Sequence, residues 1–121
     1  DQSNATSFTY VSDIVDALLV SMQSSITGEI FNVGSGKTIS VNHLAELLKG
    51  EKTYIPKRPG EPDTTFADIK KIKKYLKWKP KVGIEEGVKE IIKNIDYWKD
   101  APVWTPETIK KATKEWFEKL G

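Results

Sequence analysis

Ile14, Val15, Leu18, Leu19 and Met22 recur with the helical period, and a few residues later the pattern changes. Glu29 to Val33 is a β-prone run, entered through Gly28 and closed by the turn Gly34-Ser35-Gly36. An apolar helix face leading straight into a strand places the chain in the α/β class. The rest of the sequence extends the alternation. Phe8 to Val11 reads as a short strand, and Ser12 as the cap of the first helix. Ser40 caps a short helix carrying Leu44, Ala45, Leu47 and Leu48, which ends near Gly50; Lys52 to Pro56 is a third short strand. Lys57 to Thr65, with Pro59, Gly60 and Pro62, is an irregular loop. Helices follow at about 68–78, stopped by Pro80, and at about 84–100, with Ile84, Val88, Ile91, Ile92, Ile95 and Trp98 on one stripe. Thr105 and Pro106 open the last helix, whose buried stripe is expected to be Ile109, Ala112, Trp116, Phe117 and Leu120. The strands are expected to be at least partly parallel.

Composition narrows the chemistry. A length of 121 residues suits one domain, and 38% hydrophobic residues suffice for a core. The absence of cysteine excludes disulfides, thiol nucleophiles and zinc-thiolate sites, and one histidine, His43, cannot build a His-rich metal centre. No apolar run approaches the ~18 residues of a membrane span. The net charge of +2 is unevenly spread: residues 1–36 hold four acids and no Lys or Arg, whereas residues 37–121 hold all 19 bases. Asp1 opens the chain and Met22 is the only methionine, so the sequence reads as processed or as part of a longer protein.

Several motifs resolve to structural readings. Phe31 to Thr38 partly follows a phosphate-binding loop, but the first glycine of that pattern falls on Phe31; the third glycine of a dinucleotide fingerprint falls on Ile39. A strand-ending turn is the better reading. Tyr75 and Lys79 have the Tyr-x-x-x-Lys spacing of an acid–base pair, yet Lys79 sits at a helix end before Pro80 with no cofactor motif beside it. The lysines at 70, 71, 73, 74, 77, 79 and 81 read as a solvated face opposite Ile69, Ile72 and Leu76. Nucleic acid is disfavoured, because only one arginine is present. His43 reads as a surface or capping residue.

The segment Lys57-Arg58-Pro59-Gly60-Glu61-Pro62 is different. Its arginine is the only one in the chain, and Pro59 restricts the backbone of Arg58. A guanidinium fork suits phosphate oxygens, and the Glu61 carboxylate suits a pair of sugar hydroxyls. That is the outline of a nucleoside diphosphate site; a surface Arg–Glu pair accounts for the same residues equally well.

The motif order Phe8-Thr-Tyr-Val-Ser-Asp13, Gly28-Glu-Ile-Phe-Asn-Val-Gly-Ser-Gly36, Ile39-Ser-Val-Asn-His-Leu-Ala-Glu-Leu47, Arg58-Pro-Gly-Glu61, Ala67-Asp-Ile-Lys-Lys71, Leu76-Lys-Trp-Lys-Pro80 and Ile84-Glu-Glu-Gly87 resembles the C-terminal part of the extended short-chain dehydrogenases. These are the NAD-dependent nucleotide-sugar epimerases, dehydratases and decarboxylases. The tail Ala101-Pro-Val-Trp-Thr-Pro-Glu107, with Trp116-Phe117, is most similar to bacterial UDP-glucose 4-epimerases.

The resemblance implies an α/β fragment: the last strand and helix of a Rossmann-type sheet over residues 1–38, and a small, mostly helical substrate-binding subdomain over 39–121. It implies that Arg58 binds the nucleotide diphosphate and Glu61 the ribose of a UDP-sugar, with Thr6 where the family usually carries a second diphosphate arginine. The glycine-rich cofactor loop and catalytic Tyr-x-x-x-Lys of the family precede this region. The resemblance therefore assigns no catalytic, NAD-binding or metal-ligating residue to this chain, and places NAD with the parent enzyme in the cytoplasm. The other class of function is a non-enzymatic basic module that binds an acidic partner or nucleic acid. The unpaired edge of Glu29–Val33 and the first helix's apolar stripe lead to an expectation of self-association.

Overall fold

The computed structural model describes residues 4–120; Asp1, Gln2, Ser3 and Gly121 lie outside the described residues, and so does the expectation placed on the Asp1 start. Strand β1 (Ala5–Thr6) pairs antiparallel with β2 (Ile39–Ser40), Ala5 opposite Ser40 and Thr6 opposite Ile39. On its other side the Ala5 N–H donates to the Asp63 carbonyl and the Thr65 N–H donates to Ala5, both at 2.9 Å, forming an isolated parallel bridge to Thr64. The sheet is thus antiparallel, with parallel geometry confined to one bridge. Ala5 stitches the irregular 57–65 loop to the strand pair.

Helix α1 (Val11–Gln23) begins one residue inside the expected first strand. Tyr10 occupies its N-cap position without a side-chain hydrogen bond, so Ser12 is a helical residue and not the cap. Glu29 to Val33 keeps the side-chain alternation of a strand, with Phe31 and Val33 turned partly inward and Ile30 84% exposed, but it forms no ladder. Strand hydrogen bonds require a neighbour, and none lies beside this run among the described residues. Lys52 to Pro56 lacks a ladder for the same reason.

Four helix starts follow the sequence reading closely. The Ser40 hydroxyl accepts the His43 N–H at 3.1 Å and caps α2 (Val41–Leu48), which ends at Lys49 in the left-handed region (φ 57°) rather than at Gly50. Helix α3 (Lys70–Leu76) is shorter than expected, because the Asp68 carboxylate takes the Lys70 N–H and Lys77 (φ 55°) turns the chain away. Helix α4 starts at Ile84 but stops at Lys93. Asn94 bonds back to the Glu90 carbonyl through both its backbone and its side chain, and a single 3-10 turn (Ile95–Trp98) follows. Thr105 and Pro106 open α5 (Pro106–Ala112), with reciprocal capping by Thr108. The Thr113 hydroxyl bonds back to the Ile109 carbonyl at 2.9 Å, and there the expected single helix divides, α6 (Lys114–Leu120) continuing beyond it.

The core lies where α1, the 26–33 segment and α3 converge. Ile72 is fully buried beside Ala17, Ile69, Leu76 and Trp78, with Val20, Ile26, Phe31, Val33 and Ala67 around them. The stripes read from the sequence are only partly covered. Val15, Leu18, Leu19 and Met22 of α1 are exposed, and the face turned inward carries Asp13 and Ala17 instead. Ile91, Ile92, Ile95 and Trp98 are also exposed, while Val88 is buried. At the C-terminal end Ile109 and Phe117 are half-buried, and Ala112, Trp116 and Leu120 are exposed.

Asp13 is the one charged residue buried among the described residues, at 2% exposure. Its two carboxylate oxygens accept the backbone N–H groups of Lys81 and Val82, each at 3.0 Å. The neighbouring Asp16 pairs with the Lys81 ammonium at 2.9 Å. Together these bonds fasten the start of α1 to the segment leading into α4.

Candidate functional site

Arg58 and Glu61 are the ends of a tight turn. The Glu61 N–H donates to the Arg58 carbonyl at 3.3 Å, and Pro59 and Gly60 fill the two central places. Gly60 has φ +73°, the left-handed value that a type II turn demands there and that glycine adopts freely. The sequence therefore builds the turn locally, and the turn brings both side chains to one side.

They meet as a bidentate pair. Arg58 Nε donates to Glu61 Oε2 at 3.1 Å and Nη2 donates to Oε1 at 2.7 Å. Their mutual hydrogen bonds push the Arg58 guanidinium up and hold the Glu61 carboxyl below the usual carboxylate range. Both remain about a third exposed, so solvent screens the pair. The arrangement fixes the plane of the guanidinium and leaves Nη1 outside the fork.

Two clefts meet at this turn. One, of about 460 Å³, opens toward β1 and α2 and is lined by Asn4, Asn42, Ala45, Lys52, Arg58 and Glu61 among others. The other, of about 550 Å³, lies between residues 54–58 and the last two helices, with Ile109, Lys110, Lys114 and Phe117 on its far wall. Tyr54, Ile55, Pro56 and Arg58 form the ridge common to both. Arg58 is thus placed on concave surface on either side.

One residue at this site was missed by sequence reasoning. Trp116 of α6 donates its indole N–H to the Pro59 carbonyl at 2.8 Å, and its ring lies 5.2 Å from the Arg58 guanidinium carbon. Its place on the helical stripe marked it as core; nothing local in the sequence connects it to a turn 57 residues earlier.

The remaining candidates are placed apart from this turn. Thr6 lies in β1, its hydroxyl 2.5 Å from that of Thr65. His43 is half-buried in α2, with Glu46 and Glu85 carboxylates at 3.8 and 3.9 Å. Tyr75 rests against Phe31 and under the Lys74 ammonium. The lysine run is partly neutralised: Lys71 pairs with Glu29 at 2.7 Å, Lys70 with Asp68 at 3.7 Å, and Lys81 with Asp16.

The glycines of the Gly34–Gly36 turn serve close packing. A Cβ on Gly34 would fall 2.6 Å from the Ala67 Cβ, and one on Gly36 would fall 2.6 Å from Ile69 Cδ1. Both glycines therefore lie directly against core side chains. Among the described residues no helix is long and apolar enough to cross a membrane.

Comparison with known proteins places these features in context. Residues 1–91 match the family model described as GDP-mannose 4,6 dehydratase. UDP-glucuronate 4-epimerase of Thermodesulfobacterium geofontis is 36% identical over 99 residues, which are 76% of this chain and 30% of that protein. The crystal structure of UDP-glucose 4-epimerase from Thermotoga maritima with UDP-glucose superposes with a TM-score of 0.73 at 35% identity, covering 80% of this chain and 33% of that one. MoeE5, solved in complex with UDP-glucuronic acid and NAD, gives a TM-score of 0.72 at 28% identity, covering 80% of this chain and 35% of that one. The chain spans about a third of the length of these relatives, and its fold matches the C-terminal portion of Rossmann-type epimerase and dehydratase structures.

Proposed function

The chain belongs to the GDP-mannose 4,6-dehydratase family, and on that premise we propose that it is the nucleotide-sugar-binding portion of an NAD-dependent epimerase or dehydratase. Residues 1–38 are the end of a Rossmann region, and residues 39–121 are the substrate-binding subdomain. The ligand is a UDP-sugar. Arg58 holds the diphosphate and Glu61 the ribose hydroxyls.

The observation that carries this reading is the position of the Arg58 turn, on the ridge between two clefts. The turn presents a guanidinium whose plane is set by Glu61 before any ligand arrives. Preorganisation of this kind lowers the ordering cost of binding. Nη1 is not engaged by Glu61 and is left for a diphosphate, and the carboxylate stays at hand for hydroxyl donors. Lys52 and Lys57 also border the first cleft, paired with Glu46 and Asp63.

In this reading, NAD supplies hydride chemistry in the complete enzyme. The residues described above bind and orient the sugar nucleotide and perform no proton transfer. The basic-module reading is less well supported, because the chain's one arginine, the better phosphate reader, lies at the two clefts and not on the lysine-rich helix.

Calorimetry with UDP and with a short oligonucleotide tests the proposal. UDP is expected to bind, and Arg58→Ala to weaken binding about ten- to a hundredfold, the range set by losing one charge-assisted hydrogen bond. Strongly salt-dependent oligonucleotide binding with no response to UDP would overturn it.

A further inference from the structure

The family match ends at residue 91, yet the turn that carries Arg58 is held by a residue well beyond it. We propose that Trp116 is a positioning residue for Arg58, so that α6 acts as a brace for the diphosphate clamp. The inference rests on the nucleotide-sugar reading and adds a residue that the reading does not contain.

Two contacts from one side chain argue for it. The indole N–H donates to the Pro59 carbonyl at 2.8 Å, which pins the backbone in the middle of the turn. The indole face lies 5.2 Å from the Arg58 guanidinium carbon, within cation–π range. Glu61 holds one edge of the guanidinium and Trp116 one face. Between them they fix both the plane and the direction of Arg58 and leave its remaining edge for an anion. Leu120, one turn along α6 from Trp116, comes within 3.9 Å of where a Cβ on Gly60 would stand, so the same helix approaches the turn at a second point. Unbraced, an arginine on a surface turn samples many rotamers, and each ordering event on binding costs affinity.

The test uses the full chain and two readouts. In NMR, the Arg58 Nε–H resonance is expected to carry a ring-current shift that Trp116→Ala removes and Trp116→Phe largely keeps. An unchanged Arg58 resonance in Trp116→Ala overturns the bracing whether or not UDP binds. In calorimetry, Trp116→Ala is expected to weaken UDP binding about two- to fivefold, the size of an exposed cation–π contact. Trp116→Phe should recover part of that loss, and in an Arg58→Ala background the loss should vanish. Equal weakening with and without Arg58 would show that Trp116 acts on the fold and not through the guanidinium, and would sink the inference. UDP binding that Arg58→Ala reduces and Trp116→Ala leaves untouched would also sink it, while the parent reading survives. No UDP binding by the unmodified chain would remove the parent reading itself.

Discussion

Among single residues, Asp13 carries the most structural consequence for its size. A buried carboxylate is costly unless its oxygens are matched, and here two backbone donors match them. Asp13→Ala is expected to destabilise the fold by about 2–4 kcal/mol, because the N–H groups of Lys81 and Val82 lose their acceptors inside the protein. Denaturant titration checks this: the midpoint should fall with the slope unchanged. Asp13 was visible in the sequence only as a member of a motif, since no local pattern says that an acid at position 13 faces amides at 81 and 82. Arg58 and Glu61 were legible for the opposite reason. Pro59 and Gly60 specify a turn from four adjacent residues, and a turn brings its ends together wherever it sits. Trp116 shows the limit again, being recognisable as an aromatic on a stripe but not as a partner of Pro59.

At the scale of elements, helices were read well and strands poorly. Helical periods and caps are local, so Ser40, Ile84 and Thr105 mark real starts. The stops were less legible: Asn94 and Thr113 end their helices through back-bonds that compete with the helical ladder. A strand exists only with a neighbour, and Glu29–Val33 has strand alternation without one among the described residues. The two short strands that form among the described residues, Ala5–Thr6 and Ile39–Ser40, have no pattern long enough to detect. The glycine turn after residue 33 yields an element-scale prediction. Gly34→Ala places a methyl 2.6 Å from the Ala67 Cβ, so the turn and the approach to α3 must separate. A loss of about 1–3 kcal/mol is expected, the cost of overpacking a filled site. A thermal melt compared with Gly50→Ala, where nothing lies within 4 Å of the added Cβ, isolates the effect.

For the whole molecule, surface area is the informative quantity. The accessible surface is 9646 Å², whereas a compact monomer of 13.7 kDa is expected to expose about 6,600 Å². Large apolar side chains are uncovered along the whole chain, among them Leu18, Met22 and Ile30 on and after α1 and Tyr97, Val103 and Trp104 before α5. Exposed apolar area of this kind is covered in solution where a surface is available. The isolated chain is therefore expected to self-associate, with a weight-average mass that rises with concentration in sedimentation equilibrium; a constant monomer mass across a hundredfold dilution would refute it.

The bond between Asp13 and the amides of Lys81 and Val82 also sets an order of events during synthesis. Ribosomes deliver the N-terminal end first, so α1 leaves the exit tunnel with its acid still needing water. Only after nearly seventy further residues have emerged do its partners arrive. Until then the Asp13 carboxylate lacks its backbone donors, and the packing open to α1 is that with the 26–33 segment.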